Sequence, residues 1–138
     1  MPGPLRLLAQ DAEDLEVISA ALQDAVAKIG DIHYEAAARK LTIAANRFRW
    51  EGEGERVRTG LQLGGVLSLQ ARNVRREAKT AVVEILTLVF VPGEAPGGSV
   101  LITLAGGGEL RAEVECIDAV LADVSQPWPT RKTPKHEG

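Results

Sequence analysis

Leu110, Ala112, Val114 and Cys116 alternate along the chain with Arg111, Glu113 and Glu115. A strict period of two marks a strand with one face on a core and the other in water. The same period runs through residues 40–63, where Leu41, Ile43, Ala45, Val57, Leu61 and Leu63 share one side. Thr80–Val91 is β-branched and apolar at both parities, which predicts a central strand covered on both faces. A chain with this much alternation has to bury an antiparallel sheet.

The remaining elements follow from punctuation. Residues 5–9 predict a short first strand. Asp11 then caps a helix whose first turn is acidic, and Leu15, Ile18, Leu22, Ala25, Val26 and Ile29 form one apolar stripe. Gly30 reads as its stop, so the helix is expected over Asp11–Ile29. Strands are expected over Ile32–Ala36, Lys40–Trp50, Arg56–Gln62 and Val66–Arg72, with a bend at Gly64-Gly65. After Thr80–Val91 and a Pro/Gly loop, strands Ser99–Ala105 and Glu109–Cys116 flank a turn at Gly106-Gly107-Gly108. Ile117, Val120, Leu121 and Val124 fit a short closing helix. The expected fold is α+β: an N-terminal amphipathic helix, five to seven mostly antiparallel strands in a curved sheet or partial barrel, and a short C-terminal helix. Residues 1–125 form the single domain, and 126–138 a polar tail. This element order resembles the pleckstrin-homology layout.

Composition narrows the function classes. Of 138 residues, 45% are hydrophobic and 25% charged, with a net charge of −3, which excludes a disordered chain and gives no basic excess for nucleic acid. One cysteine rules out an intrachain disulfide, and with only His33 and His136 no His/Cys zinc set can be assembled. The longest apolar run, Ile85–Pro92, is of strand length, far below a membrane span of ~18 residues. The start, Met1-Pro2-Gly3-Pro4, lacks a signal-peptide pattern, so a cytoplasmic protein is expected. No cofactor is expected, and no nucleophile–base constellation stands out, so an enzyme is not the first expectation. Asp31-Ile32-His33-Tyr34-Glu35 resembles a strand start, which makes His33 a structural or surface residue.

One surface stands out. If residues 51–55 form a hairpin loop, Trp50 pairs with Arg56 and Phe48 with Arg58. Asn46, Phe48, Trp50, Arg56 and Arg58 then lie opposite the core face. Together with Arg47 and Arg49 they form the candidate binding segment, since Trp, Phe and Arg are frequent interface anchors. The expected function is a non-enzymatic module that binds a protein partner or a second copy of itself. The alternative is a small-anion or metabolite-binding regulatory domain, with carboxylate or phosphate among Arg47, Arg49, Arg56 and Arg58. Two further alternatives stay open: simple cross-strand pairing on an open sheet face, and cover by the N-terminal helix.

Four weaker signals have plainer explanations. The basic run Arg72–Lys79 could take an acidic partner or phosphate, but such runs are more often solvated loops. Gly106-Gly107-Gly108 lacks the Lys, Ser/Thr and following helix of a phosphate loop, so a hairpin is expected. Glu113, Glu115, Asp118 and Asp123 are candidate acids or bases without an evident pKa-shifting neighbour, and Cys116 is expected to point inward as an inert thiol.

Several segments together are similar to a known family. They are Leu5-Arg6-Leu7-Leu8-Ala9 with Asp14-Leu15, Ile18-Ser19-Ala20 with Leu22-Gln23-Asp24-Ala25, and Ala45-Asn46-Arg47-Phe48 with Trp50-Glu51. Ala105-Gly106-Gly107-Gly108 and Val114-Glu115-Cys116-Ile117 with Leu121-Ala122-Asp123 complete the set. The chain resembles a family of small, uncharacterised alphaproteobacterial proteins catalogued as a domain of unknown function, whose members are often encoded beside histidinol dehydrogenase. The resemblance implies a bacterial, cytoplasmic setting and no assigned catalytic residues.

The near-neutral total conceals a polarised chain. Residues 1–38 carry a net −5, 39–80 a net +6, 81–125 a net −6 and 126–138 a net +2. Internal pairing or head-to-tail contact is expected between the blocks.

Overall fold

The structure, a computed structural model, describes residues 4–49 and 54–125, and the backbone of 128–129. It is mostly β, which corrects the α+β expectation. Its elements are β1 (Arg6–Ala9), α1 (Ala12–Leu22), β2 (Val26–Lys28), a 3-10 turn (Ile29–Asp31), β3 (Ile32–Glu35), β4 (Lys40–Phe48) and β5 (Glu55–Leu63). They continue as β6 (Val66–Arg72), β7 (Val82–Pro92), β8 (Gly98–Leu104), β9 (Glu109–Val114), β10 (Ala119–Asp123) and β11 (Trp128–Pro129). Among the described residues, eleven strands form one sheet rather than five to seven. The order is β1-β10-β5-β4-β2-β7-β8-β9-β6, with β11 pairing β5 and β3 pairing β4.

Two expected helical segments are extended instead. α1 begins as expected, with the Asp11 side chain accepting from the Asp14 N–H at 2.8 Å, but it stops at Leu22. Asp24 adopts a left-handed φ of 67°, and its N–H donates to the Ile85 carbonyl at 2.9 Å. Residues 26–28 then enter the ladder against β7, so sheet pairing overrides the helical stripe through Ala25, Val26 and Ile29. The closing helix is likewise a strand. Ala119 and Leu121 are buried and alternate with Val120 and Ala122, and β10 fills the slot between β1 and β5. A helix of five residues could not offset its nucleation cost, whereas both edges of β10 find ladder partners.

The core follows the alternation. Leu41, Ile43 and Ala45 of β4, Val57, Leu61 and Leu63 of β5, and Leu110, Ala112 and Val114 of β9 are buried, together with Leu15, Ile18 and Leu22 of α1. α1 lies against β7 where that strand's register shifts between Ile85 and Thr87, and Ser19 Oγ accepts the Leu88 N–H at 2.9 Å. β7 is not covered on both faces as expected, because Val82, Val89 and Val91 are exposed. The Gly64-Gly65 bend is present. The Gly64 N–H donates to Asp118 O at 2.8 Å, and a Cβ there would lie 2.5 Å from the Asp118 carboxylate. Cys116 is exposed rather than inward, because β9 ends at Val114 and the alternation stops with it.

The β4–β5 hairpin has a different register from the one expected. Phe48 pairs with Arg56, Asn46 with Arg58, Ala45 with Thr59 and Ile43 with Leu61. This is a two-residue shift, and an even shift leaves every side chain on its original face. Sorting by face could therefore recognise the faces but not the register. Trp50 lies outside the described residues.

Buried polar chemistry concentrates at one place in this hairpin. Arg47 sits on the core-facing row and is fully buried. Its Nε donates to Asp123 Oδ1 and its Nη2 to Asp123 Oδ2, each at 2.9 Å. Asp123 Oδ2 also accepts the Leu5 N–H at 3.0 Å. Burial pushes the Asp123 carboxyl up, but hydrogen bonds from Arg47 and Leu5, the Arg47 charge and the Thr59 hydroxyl together hold it below its ordinary 3.8. A carboxyl lowered on folding adds stability above its unfolded value and loses it as pH falls through the folded one. Asp123→Asn should therefore cost about 3–5 kcal/mol at neutral pH, because the buried Arg47 guanidinium loses the carboxylate charge that balances it. It should also flatten the acid limb of a urea-denaturation series carried down to about pH 2. An unchanged acid limb would contradict this assignment.

Candidate arginine face

The face opposite the core carries the even-numbered residues of β4 and β5. Arg56 Nη1 donates to the Asn46 carbonyl at 3.2 Å. Arg58 Nη1 donates to Asn46 Oδ1 at 3.2 Å, and Arg58 Nη2 to Asp31 Oδ2 at 2.9 Å. The Arg58 and Asp31 side chains are each about one-third exposed, at 34% and 33%. Their orientation is thus set by the fold while part of each remains open to solvent. Phe48 lies on the same face but is only 8% exposed.

The seven candidate residues divide accordingly. Asn46, Arg56 and Arg58 are brought together on the outer face. Arg47 points the other way, into the pair with Asp123. Arg49 is buried, its Nη1 donating to the Glu55 carboxylate, while its backbone N–H closes the hairpin onto Glu55 O at 2.7 Å. Phe48 is largely covered. Cover by α1, one of the alternatives, is not what is seen, since that helix packs chiefly against β7 and β1.

The row also continues beyond β4. Asn46 pairs with Val26 of β2, and Val26 pairs with Glu84 of β7, so Arg58, Asn46, Val26 and Glu84 lie side by side across four strands. Glu84 is half-buried next to Asp24. A hydrogen bond with Asp24, then burial, then the Asp24 charge raise the Glu84 pKa above its ordinary 4.5, against a lowering effect from Arg56. Two carboxyls share space there, with an arginine nearby. Asp24, Asp31 and Glu84 were not recognisable as members of this face from spacing alone. Only the acidic character of the blocks flanking residues 39–80 hinted at them.

Other carboxylates have structural partners. Glu113 accepts from Ser99 Oγ at 2.8 Å and from Arg111 Nε at 2.7 Å. The Arg111 hydrogen bond and then Ser99 hold its carboxyl below the ordinary value. His33 is exposed on β3, opposite Thr42. The Gly106-Gly107-Gly108 segment is the hairpin between β8 and β9, with positive φ at Gly106 and Gly107. Among the described residues, no three His, Cys, Asp or Glu side chains converge into a group that could hold a metal.

Fold and site together define a small sheet protein with one charged, pre-ordered face. Over residues 5–136 the chain matches the family described as "Protein of unknown function (DUF2948)", and it belongs to that family. No curated protein matches the chain, and no solved structure does.

Glu84 yields a stability test. Its raised pKa means that folding favours the protonated form, so the ionised carboxylate lowers stability as pH rises through the carboxylate range. Glu84→Gln should raise the melting temperature at neutral pH, and that gain should disappear below about pH 4. A gain independent of pH would show that Glu84 is not under electrostatic strain.

Proposed function

We propose that this protein is a non-enzymatic module that self-associates through the outer face carrying Asn46, Arg56 and Arg58. The observation that carries the proposal is the presence of both charge signs on that one rigid patch. Arg56 and Arg58 stand near Asp24 in the turn before β2, Asp31 in the 3-10 turn and Glu84 on β7. A two-fold dimer brings the same patch against itself, so a patch holding arginines and carboxylates side by side can be its own complement. Arginine is also enriched among residues that dominate interface energies. The guanidiniums of Arg56 and Arg58 are already oriented by Asn46 and Asp31, which reduces the ordering cost of association.

Arg47 and Arg49 do not belong to the proposed contact. Their guanidiniums are buried and engaged within the chain, and for the same reason no anion site is proposed around them. The proposed setting is the cytoplasm of a bacterium, in line with the alphaproteobacterial family resemblance and its genes beside histidinol dehydrogenase. The exposed thiol of Cys116 suits a reducing compartment.

Sedimentation velocity tests this directly. The protein should form a dimer at low ionic strength that weakens as salt is raised to about 0.5 M, where charges are screened within a few ångströms. Arg56→Ala with Arg58→Ala should be monomeric with a melting temperature close to that of the parent. A wild-type chain that stays monomeric at every salt and protein concentration would overturn self-association.

A further inference from the structure

The sheet does not close on itself. Among the described residues β3 pairs only with β4, and β6 only with β9, so each leaves one edge without a ladder partner there. The two strands approach across a seam, where the Tyr34 hydroxyl donates to the Val66 carbonyl at 3.0 Å. Beside this bridge lies a cavity of about 200 Å³. Ile32, Leu69, Val74 and Leu110 line it together with Tyr34, and so do the cations Arg76 and Lys79. Leu110 is buried, the other apolar side chains are half-buried, and both cations are exposed. The cavity thus has an apolar interior and a positive rim.

These cations come from the basic run that resembled a solvated loop, but the loop is pinned. Asn73 turns the chain out of β6 at φ +58°, and its Nδ2 donates to Gly107 O at 3.2 Å. At the other end the Ile29 N–H donates to Ala81 O and the Gly30 N–H to Lys79 O, both at 2.9 Å. Gly30 permits that approach, because a Cβ there would lie 3.0 Å from Lys79 O. Gly30 therefore serves close packing rather than the helix stop expected of it. Among the described residues Arg76 and Lys79 have no carboxylate partner, unlike Arg47, Arg58 and Arg72.

We propose that the seam binds a small monocarboxylate with an apolar body, its carboxylate on Arg76 and Lys79 and its body against Leu69, Val74 and Leu110. The volume holds roughly seven water-sized or methylene-sized groups. A planar carboxylate matches the guanidinium fork, and Lys79 adds a second positive charge. The interior discriminates against hydroxylated ligands. Its one hydroxyl, on Tyr34, already donates to Val66 and keeps only acceptor capacity, so a ligand hydroxyl set against Leu69, Val74 and Leu110 would go unpaired. A doubly charged phosphate would fill the rim and leave the apolar interior unused.

Amide chemical-shift titrations with hexanoate and phenylacetate test the proposal, with hexanamide, acetate and inorganic phosphate as comparators. Both acids should give saturable shifts centred on residues 29–34 and 69–79. Hexanamide and acetate should bind at least about tenfold more weakly, since each lacks one half of the recognition. Arg76→Gln with Lys79→Gln should weaken hexanoate by at least about tenfold, and Val74→Trp should abolish binding by filling the cavity. No saturable shift with either acid would overturn the proposal. So would phosphate or acetate binding as tightly as hexanoate, or undiminished binding by the double variant. Arg76, Lys79 and Val74 do not lie on the arginine face, so the loss of hexanoate binding by these variants is read independently of self-association.

Discussion

The structure depends on the buried pair between Arg47 and Asp123. It joins β4 to β10 across the intervening strand β5, and through the Leu5 N–H it also holds β1. A buried ion pair adds little stability over a well-packed apolar pair, but losing one partner is costly. Its effect is therefore on specificity. With the Arg47 guanidinium committed to the interior, the adjacent residues of β4 have to face outward. That parity places Asn46, and opposite it Arg58, on the outer surface. The same pair requires Asp123 to lie along a strand beside β5, which is why the chain's last apolar segment is extended rather than helical.

The charge blocks explain much of the remaining organisation. The basic middle of the chain pairs with acids from both flanks. Arg58 meets Asp31 from the N-terminal block, and Arg47, Arg39 and Arg72 meet Asp123, Glu115 and Glu109 from the C-terminal one. Pairing inside the chain accounts for these contacts. Exposed pairs such as Arg72–Glu109 contribute little energy, while the buried one fixes geometry. Arg76 and Lys79 stand apart from this scheme, on a pinned loop at the seam between β3 and β6.

Sequence patterning revealed an antiparallel sheet but undercounted its strands, five to seven against the eleven seen among the described residues. The alternation in residues 40–63 and 109–114 placed β4, β5 and β9 close to their observed spans, and the glycine turn at 106–108 and the bend at 64–65 are where punctuation put them. The errors share a cause. Val26 and Val120 satisfy helical and strand spacing alike, and long-range ladder partners decided the outcome. The two-residue register shift is invisible to face sorting by construction. Arg47 looked like a surface residue because its type is usually exposed, and its partner is 76 residues away. The seam cavity draws on β3, β6, β9 and a loop, a juxtaposition that no local pattern encodes.

A double-mutant cycle on Arg47→Met and Asp123→Leu, read by chemical denaturation, is the most direct test of the central claim. Each single change should cost about 3–5 kcal/mol, because each strands a buried charge. The double variant should lose far less than their sum, having removed both charges together. Additive losses would show that the two side chains act independently, and that the pair does not set the hairpin's orientation.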